Sequence, residues 1–435
     1  MECFIDKDRI RAEMKKNNIK TQTELAQKIG ITKNQLSAVL SSKNNPIKSN
    51  IQIIAEALNV SPLELITDNP SNLISVNKQT SFLEESTKLK FVDTENVIPN
   101  KDYNVLELFA GAGGLAYGLE KAGFSAIGLV EIDKYASQTL RLNRPQWNVI
   151  EKDIIDVVNE GVYSYIDKNI EVDLLSGGYP CQSFSYAGHK KGLDDVRGTM
   201  FYYYANILEQ VKPKVFLAEN VKGLLSHDGG KTLETMIEVF KGIGYNVSYY
   251  ILKAIDYNVA QKRERTVIIG VRNDLSMEYL PPKPFDNKPV LRDVLKDVPE
   301  SEGEKYPEKK KKVLELIPPG GYWKDLPDEI AKEYMGKSYY SGGGRTGMAR
   351  RISWDEPSLT LTCSPAQKQT ERCHPDETRP FTVREYARIQ SFTDDWQFYG
   401  SMGQQYKQIG NAVPVEMAKS IGLSIIDLLN KVNGN

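Results

Sequence analysis

The sequence predicts an α/β chain: a parallel sheet with crossover helices, an all-α unit before it and a smaller irregular region interrupting it. Three observations predict this. From Asn104 onward, apolar runs of about five residues alternate with helical patterns, the texture of strand–helix–strand units. Residues 1–66 show only helical periodicity. Between 273 and 378 both periods give way to Pro, Gly, charge and aromatic residues, before helical spacing resumes at Val383–Ile389 and Val415–Leu429. At 435 residues the chain holds two to three domains of the usual size, about 100–200 residues each. The expected division is 1–66 all-α, 67–100 a polar linker broken by Pro70 and Pro99, 101–272 with 379–435 the sheet domain, and 273–378 the irregular region.

Five runs read as buried strands: Val105–Phe109, Ala126–Val130, Val172–Ser176, Val215–Ala218 and Val267–Val271. Composition narrows the function classes. The 56 Lys+Arg and 57 Asp+Glu nearly cancel, so total charge does not by itself attract nucleic acid. With 40% hydrophobic and 26% charged residues the chain is of ordinary globular type. No apolar run approaches the roughly 18–20 residues of a spanning helix, and the first eight residues are acidic where a secretory leader is basic and then apolar. Four cysteines and three histidines make neither a disulfide framework nor a metal scaffold. The expectation is a cytoplasmic protein without membrane attachment or metal.

Residues 1–66 carry ten Lys/Arg against seven Asp/Glu, a local balance of +3. Within Thr21–Ala38, Leu25-Ala26 gives a first short helix its buried face, Gly30 permits the positive φ of a tight turn, and Ile31 plugs between two helices. Thr32 is placed to cap a second helix buried through Leu36, Val39 and Leu40. Its exposed face would carry Lys33, Asn34, Gln35 and Ser37, cationic, amide and hydroxyl groups suited to base edges in a major groove. The stretch resembles the repressor-type helix-turn-helix family, which implies DNA binding, often as a dimer. A small helical bundle serving dimerisation is the plainer alternative.

After the strand ending at Phe109 comes Ala110-Gly111-Ala112-Gly113-Gly114 and then a helical pattern. Glycines there let the backbone turn sharply and let a ligand approach the main chain. The next strand ends at Glu131, twenty residues after Gly111, where a nucleotide site places a carboxylate for ribose hydroxyls. The loop lacks the Gly-x-Gly-x-x-Gly spacing of pyrophosphate sites, so a sulfonium nucleoside, S-adenosylmethionine, fits better. Its adenine would lie near Asp153-Ile154. An ordinary strand-turn-helix is the alternative for this segment alone.

The strand Val172–Ser176 runs into Gly177-Gly178-Tyr179-Pro180-Cys181-Gln182. A lone cysteine is usually a small buried hydrophobe. Cys181, however, follows the carboxyl end of a strand, behind a stiffening proline and before polar residues. A second strand delivers Glu219-Asn220-Val221 to the same edge, which pairs a thiol nucleophile with a proton donor or acceptor. A free thiol ionises near pH 8.5, so such a site must favour the thiolate. Gln261-Lys262-Arg263-Glu264-Arg265 heads the strand Val267–Val271 and could aim its arginines inward, or be a solvated charge run.

Together these blocks resemble the cytosine-5 DNA methyltransferase family, and they occur in that family's order. Arg379–Phe392 is similar to its ninth motif and Tyr406–Pro414 to its tenth, so the likeness covers roughly 104–272 and 379–427. Phe392-Thr393-Asp394 departs from the family's usual Phe-Pro-Asp, which concerns a local turn only. The resemblance implies a Rossmann-like S-adenosylmethionine-dependent methyltransferase sheet and a target-recognition region at 273–378. Lys309–Lys312 there would contact phosphates or be merely solvated, and Gly342–Arg351 would supply a groove-facing loop. It implies that Cys181 adds to carbon 6 of cytosine, that Glu219 bonds ring nitrogen 3 and the exocyclic amine, and that Arg263 and Arg265 hold the base. Cofactor contacts carry over to Phe109, Gly111, Gly113, Glu131, Asp153, Pro180 and Asn411, with Ile154 beside them. The target base must leave the duplex stack, and Ser183–Gly198 is the candidate lid behind it.

The expected activity is therefore DNA (cytosine-5-)-methylation of a specific duplex sequence. A restriction endonuclease is the expected functional partner, and the N-terminal unit would regulate the operon. The alternatives are a tRNA cytosine-5 methyltransferase and a non-catalytic DNA-binding regulator on the same scaffold.

Overall fold

The computed structural model describes residues 4–5, 7–17, 19, 21–40, 51–58, 60, 65–67, 90–180, 199–340 and 345–434. The chain forms two units, Met1–Leu89 and Lys90–Asn435.

In the first unit, α1 (Lys7–Lys16), α2 (Gln22–Lys28), α3 (Lys33–Val39) and α4 (Ile51–Leu58) enclose a core that includes Ile10, Leu25, Leu36, Ile54 and Leu65. β1 (Phe4–Ile5) and β2 (Ile66–Thr67) pair antiparallel, joining the segment before α1 to the one after α4. Thr21 caps α2 by accepting from the Glu24 N–H. Gly30 takes a φ of 72° in the turn, as its sequence position predicts. Thr32 and Gln35 form a reciprocal cap on α3: the Gln35 N–H donates to Thr32 Oγ1, and the Thr32 N–H to Gln35 Oε1.

The second unit is built on one seven-stranded sheet. Its strands are β3 (Tyr103–Leu108), β4 (Phe124–Glu131), β5 (Val149–Glu151), β6 (Leu174–Gly177), β7 (Val215–Val221) and β8 (Tyr245–Lys253), with β10 (Glu264–Arg272) after the short β9 (Gln261–Lys262). The order across the sheet is β5-β4-β3-β6-β7-β10-β8. Strands β3 to β7 pair in parallel, whereas β10 is antiparallel to both β7 and β8. The run Val267–Val271, expected in a parallel sheet, is thus reversed. The segment from Ala254 to Arg263 that joins β8 to β10 is too short for the crossover a parallel pair needs. The reversal has a functional result. It brings the head of β10, with Arg265 opposite Val221, to the edge where the parallel strands end.

Helices cover both faces. α7 (Ile154–Glu160), α8 (Met200–Val211) and α9 (Lys231–Ile243) bury Val157, Tyr204 and Phe240 against one. α5 (Gly114–Ala122) and α15 (Val415–Asn433) bury Leu119 and Ile425 against the other. A third cluster joins α6 (Lys134–Asn143), α13 (Val383–Ile389) and α14 (Met402–Asn411) through Leu140, Trp396, Tyr386 and Ile409. Returning the chain after residue 378 therefore completes the layer beside the carboxyl ends of β3 and β4.

Residues 90–100, read from sequence as the end of a linker, pack on this unit. The Val92 N–H donates to the Pro281 carbonyl and the Lys283 N–H to that of Val92. The Asn100 N–H and the Tyr103 hydroxyl both donate to Asn430 Oδ1 near the end of α15, at 3.0 and 2.9 Å. The irregular region has a small core of its own, including Tyr306, Leu314, Ile317 and Cys373, around α11 (Glu308–Glu315) and α12 (Asp328–Met335), which follow the short α10 (Leu291–Val294). Near its end, β11 (Ser358–Leu359) pairs in parallel with β9. Among the described residues no helix is long and apolar enough to cross a membrane.

Candidate active site

The loop after β3 is bent by three residues of positive φ: Phe109 at 56°, Gly111 at 56° and Gly113 at 85°. Phe109 is the costly one, since a side chain in the left-handed region stores about 1–3 kcal/mol of strain. At Gly113 a Cβ would also lie 2.7 Å from Leu140 and 2.9 Å from Trp396, so a side chain there would have to displace both. The loop folds over the end of β4, where the Gly111 N–H donates to Glu131 Oε2 and the Asp133 N–H to Glu131 Oε1, both at 2.7 Å. Burial pushes the Glu131 carboxyl above its ordinary range, and these two N–H groups pull it back.

Sequence reasoning passed over Ile132, which is 64% exposed directly after this carboxylate. An apolar side chain in a loop between two acids was the available signal. Asp133 caps α6 and forms a 2.8 Å ion pair with Lys407 of α14. Asp153 caps α7, accepting from the Ile155 N–H at 2.9 Å. The side chain of Ile154 turns into the core instead and is 4% exposed.

Pro180 is exposed at the end of the loop after β6. Cys181 and the lid candidate Ser183–Gly198 lie outside the described residues. What holds the approach to position 181 is visible: Asn220 Nδ2, buried, donates to the Tyr179 carbonyl at 3.0 Å. Asn220 had been given no role from sequence. A Cβ on Gly178 would come within 2.9 Å of Glu219 Oε2, so the loop lies directly against that carboxylate.

Glu219 and Arg265 form a close, mostly buried ion pair, with Nε 2.7 Å from Oε1. Among the described residues that oxygen accepts no well-directed hydrogen bond, so the contact is chiefly electrostatic. Burial pushes the Glu219 carboxyl up, while the guanidinium groups of Arg265 and Arg263 oppose it. Arg263 does not share Arg265's setting. It is 2% exposed, and it donates through Nη1 to the Leu361 carbonyl at 3.3 Å and through Nη2 to that of Gly410 at 3.1 Å. It ties β10 to α14. Gln261 reinforces the tie by donating to Gln390, whose own amide donates to the carbonyls of Ile409 and Ala412. Asn411, the last residue of α14, is exposed.

Two expectations for the irregular region change. Lys310 is not free for phosphate: it pairs at 2.8 Å with the fully buried Glu371, while Lys309 pairs with the exposed Glu333. Arg351 faces no groove. It is 4% exposed and donates to the carbonyls of Leu314, Ile317, His374 and Pro375. Gly342–Gly344 lie outside the described residues. In the N-terminal unit, Lys33, Gln35 and Ser37 are exposed on α3, with Gln35 partly engaged in the helix cap. The Asn34 side chain lies outside the described residues.

Residues 103–427 match the family described as C-5 cytosine-specific DNA methylase, and residues 10–65 match a helix-turn-helix family. The Type II methyltransferase M.Sau96I of Staphylococcus aureus is 58% identical over 434 residues, which cover 99% of this chain and 100% of that one. M.Eco47II of Escherichia coli is 56% identical over 349 residues, covering 78% of this chain and 82% of that one. A crystal structure of a DNMT2 mutant from Spodoptera frugiperda covers 76% of this chain and 100% of its own, with a TM-score of 0.54 and 18% identity, a likeness of fold.

Proposed function

The chain belongs to the C-5 cytosine-specific DNA methylase family, as a DNA cytosine-5 methyltransferase of the Type II restriction-modification kind, and from that premise we propose that Cys181 and Glu219 carry the reaction on a cytosine turned out of duplex DNA. The observation that supports this most is the Glu219–Arg265 pair pressed against the loop that leads to Cys181, on the sheet edge that also holds Glu131.

The cradle suits S-adenosylmethionine. A buried carboxylate at the end of β4 can accept ribose hydroxyls, and the uncovered Ile132 beside it offers an apolar surface to a purine. Phe109, Gly111, Gly113, Glu131, Asp153, Pro180 and Asn411 would hold the cofactor, and Ile154 would contribute through its backbone. When bound, S-adenosylmethionine would supply an electrophilic methyl group and keep the bonding electron pair as the neutral thioether S-adenosylhomocysteine.

The chain's own residues do the rest. The Cys181 thiolate forms a bond to carbon 6 of the ring, and the electron pair displaced toward carbon 5 makes that carbon the nucleophile that takes the methyl. A solvent water takes the carbon-5 proton, and the electrons left behind re-form the 5,6 double bond as the carbon–sulfur bond breaks and the thiolate departs. Glu219, held toward its neutral form by burial, donates to ring nitrogen 3 and so stabilises the adduct as charge develops. Arg265 keeps the carboxyl in place and is the arginine nearer the base. Arg263 acts from behind, through the carbonyls it binds. Extruding the base costs a few kcal/mol, drawn from protein–DNA contacts.

Duplex DNA carrying 5-fluorocytosine at the target tests the mechanism, because the fluorine cannot leave as a proton does. The expected result is a stable protein–DNA conjugate at Cys181, absent in Cys181→Ser. A conjugate at another residue, or methyl incorporation into tRNA in preference to duplex DNA, would refute this reading.

The N-terminal unit is proposed to bind an operator, as a dimer on two half-sites, and to repress the operon shared with a cognate endonuclease. Lys33→Ala with Ser37→Ala should raise expression from the enzyme's own promoter and leave methyl transfer intact. Unchanged promoter output would remove the regulatory role.

A further inference from the structure

The segment Leu361-Thr362-Cys363 stands at the far end of the irregular region in sequence, yet it lies against the end of α14. Its backbone is held from three sides. The Leu361 N–H donates to Gln261 Oε1 at 3.0 Å, the Leu361 carbonyl accepts from Arg263, and the Thr362 carbonyl accepts from the Tyr386 hydroxyl at 3.0 Å. A Cβ on Gly410 would sit 2.4 Å from the Thr362 oxygen, so segment and helix touch backbone to backbone. Out of this fixed frame the Cys363 thiol donates to Asn411 Oδ1 at 2.9 Å. Both residues are exposed, and among the described residues the Asn411 amide nitrogen has no hydrogen-bond partner.

We propose that Cys363 is a positioning residue for cofactor binding. Its thiol claims the Asn411 amide oxygen and so sets which way the amide faces, leaving the two N–H donors for an acceptor oxygen of S-adenosylmethionine. A terminal amide turns about a broad, roughly two-fold torsion, so without a partner it divides its time between orientations. The thiol removes that freedom before the cofactor arrives. A hydroxyl can make the same bond, and a methyl group cannot. The proposal rests on the reading of Asn411 as a cofactor contact.

Titrations of the full-length protein with S-adenosylmethionine, and with S-adenosylhomocysteine, test it in Cys363→Ala, Cys363→Ser, Asn411→Ala and the Cys363→Ala/Asn411→Ala double variant. Cys363→Ala should weaken binding by about three- to tenfold, the worth of one hydrogen bond. The loss should appear in the KM for cofactor and be recovered at saturating concentration. Cys363→Ser should restore wild-type affinity, and the double variant should be no weaker than Asn411→Ala. A loss in Asn411→Ala with none in Cys363→Ala, or additive losses in the double variant, overturns the proposal alone. If Asn411→Ala binds cofactor normally, the assignment of Asn411 falls and the proposal falls with it.

Discussion

At Glu219 two opposed forces meet in one side chain. Burial favours the neutral carboxyl, and Arg265 favours the ion. The net direction is upward, which fixes a sign. A carboxyl whose folded pKa exceeds its unfolded one adds stability below the unfolded value, and loses it as pH rises through the folded value. If the neutral form donates to ring nitrogen 3, activity at saturating substrate declines over that same rise. Glu219→Gln keeps an N–H donor but no acidic proton, so it should lower kcat by less than about 10²–10³, the cost of losing a donor outright, and should flatten the alkaline decline. A retained alkaline limb in Glu219→Gln would assign that limb to another group. Asn220→Ala should cost about 1–3 kcal/mol by stranding the buried Tyr179 carbonyl, and should also slow methyl transfer because the approach to position 181 loosens. Thermal melting and single-turnover rates separate the two effects. Glu219 was legible in the sequence because an acid ends an apolar run. Asn220 stood next to it unread, since its partner is a backbone carbonyl forty-one residues away.

Among the elements, strands were the easiest to read and their directions the hardest. The run Val267–Val271 looks the same in a parallel or a reversed strand, because both of its faces are covered. β8 escaped notice: its buried positions are interspersed with half-exposed Ser248, Tyr249 and Tyr250, as suits a strand at the rim of the sheet. The glycine loop was recognisable, yet Trp396, which with Leu140 crowds any side chain at Gly113, comes from a part of the chain nearly three hundred residues later. Gly113→Ala should therefore lower both stability, by at least about 1–3 kcal/mol, and cofactor affinity. Calorimetric melting and cofactor titration check this, and a variant that melts normally and binds normally would contradict it. The lysine run shows the limit of reading charge from sequence. Lys309 and Lys310 are neighbours, but only burial separates a surface pair from the counter-ion of a core carboxylate.

For the whole molecule, the contact boundary falls at Lys90. A chain beginning at Lys90 should melt at the same temperature as the catalytic transition of the full protein and should methylate at a similar rate. One beginning at Tyr103 should melt lower, since it loses the Val92 pairing and the Asn100 bond to Asn430. Equal melting of the two shorter chains would make residues 90–100 passive. Polar composition had marked this stretch as a linker, because main-chain bonds to Pro281 and Lys283 leave no trace in side-chain pattern. Cys181, the proposed nucleophile, is legible only from sequence, by its place behind a strand and a proline.

Asn430 also accepts from Tyr103 and donates to the Ile98 carbonyl, and Asn433 reaches the same tyrosine. The first strand of the sheet and the closing helix are thus stitched side by side at one corner. Splicing residue 434 back to the neighbourhood of Ile98 through a short peptide would need little reach, so the catalytic body lends itself to circular permutation, with new termini placed in an exposed connection remote from that seam.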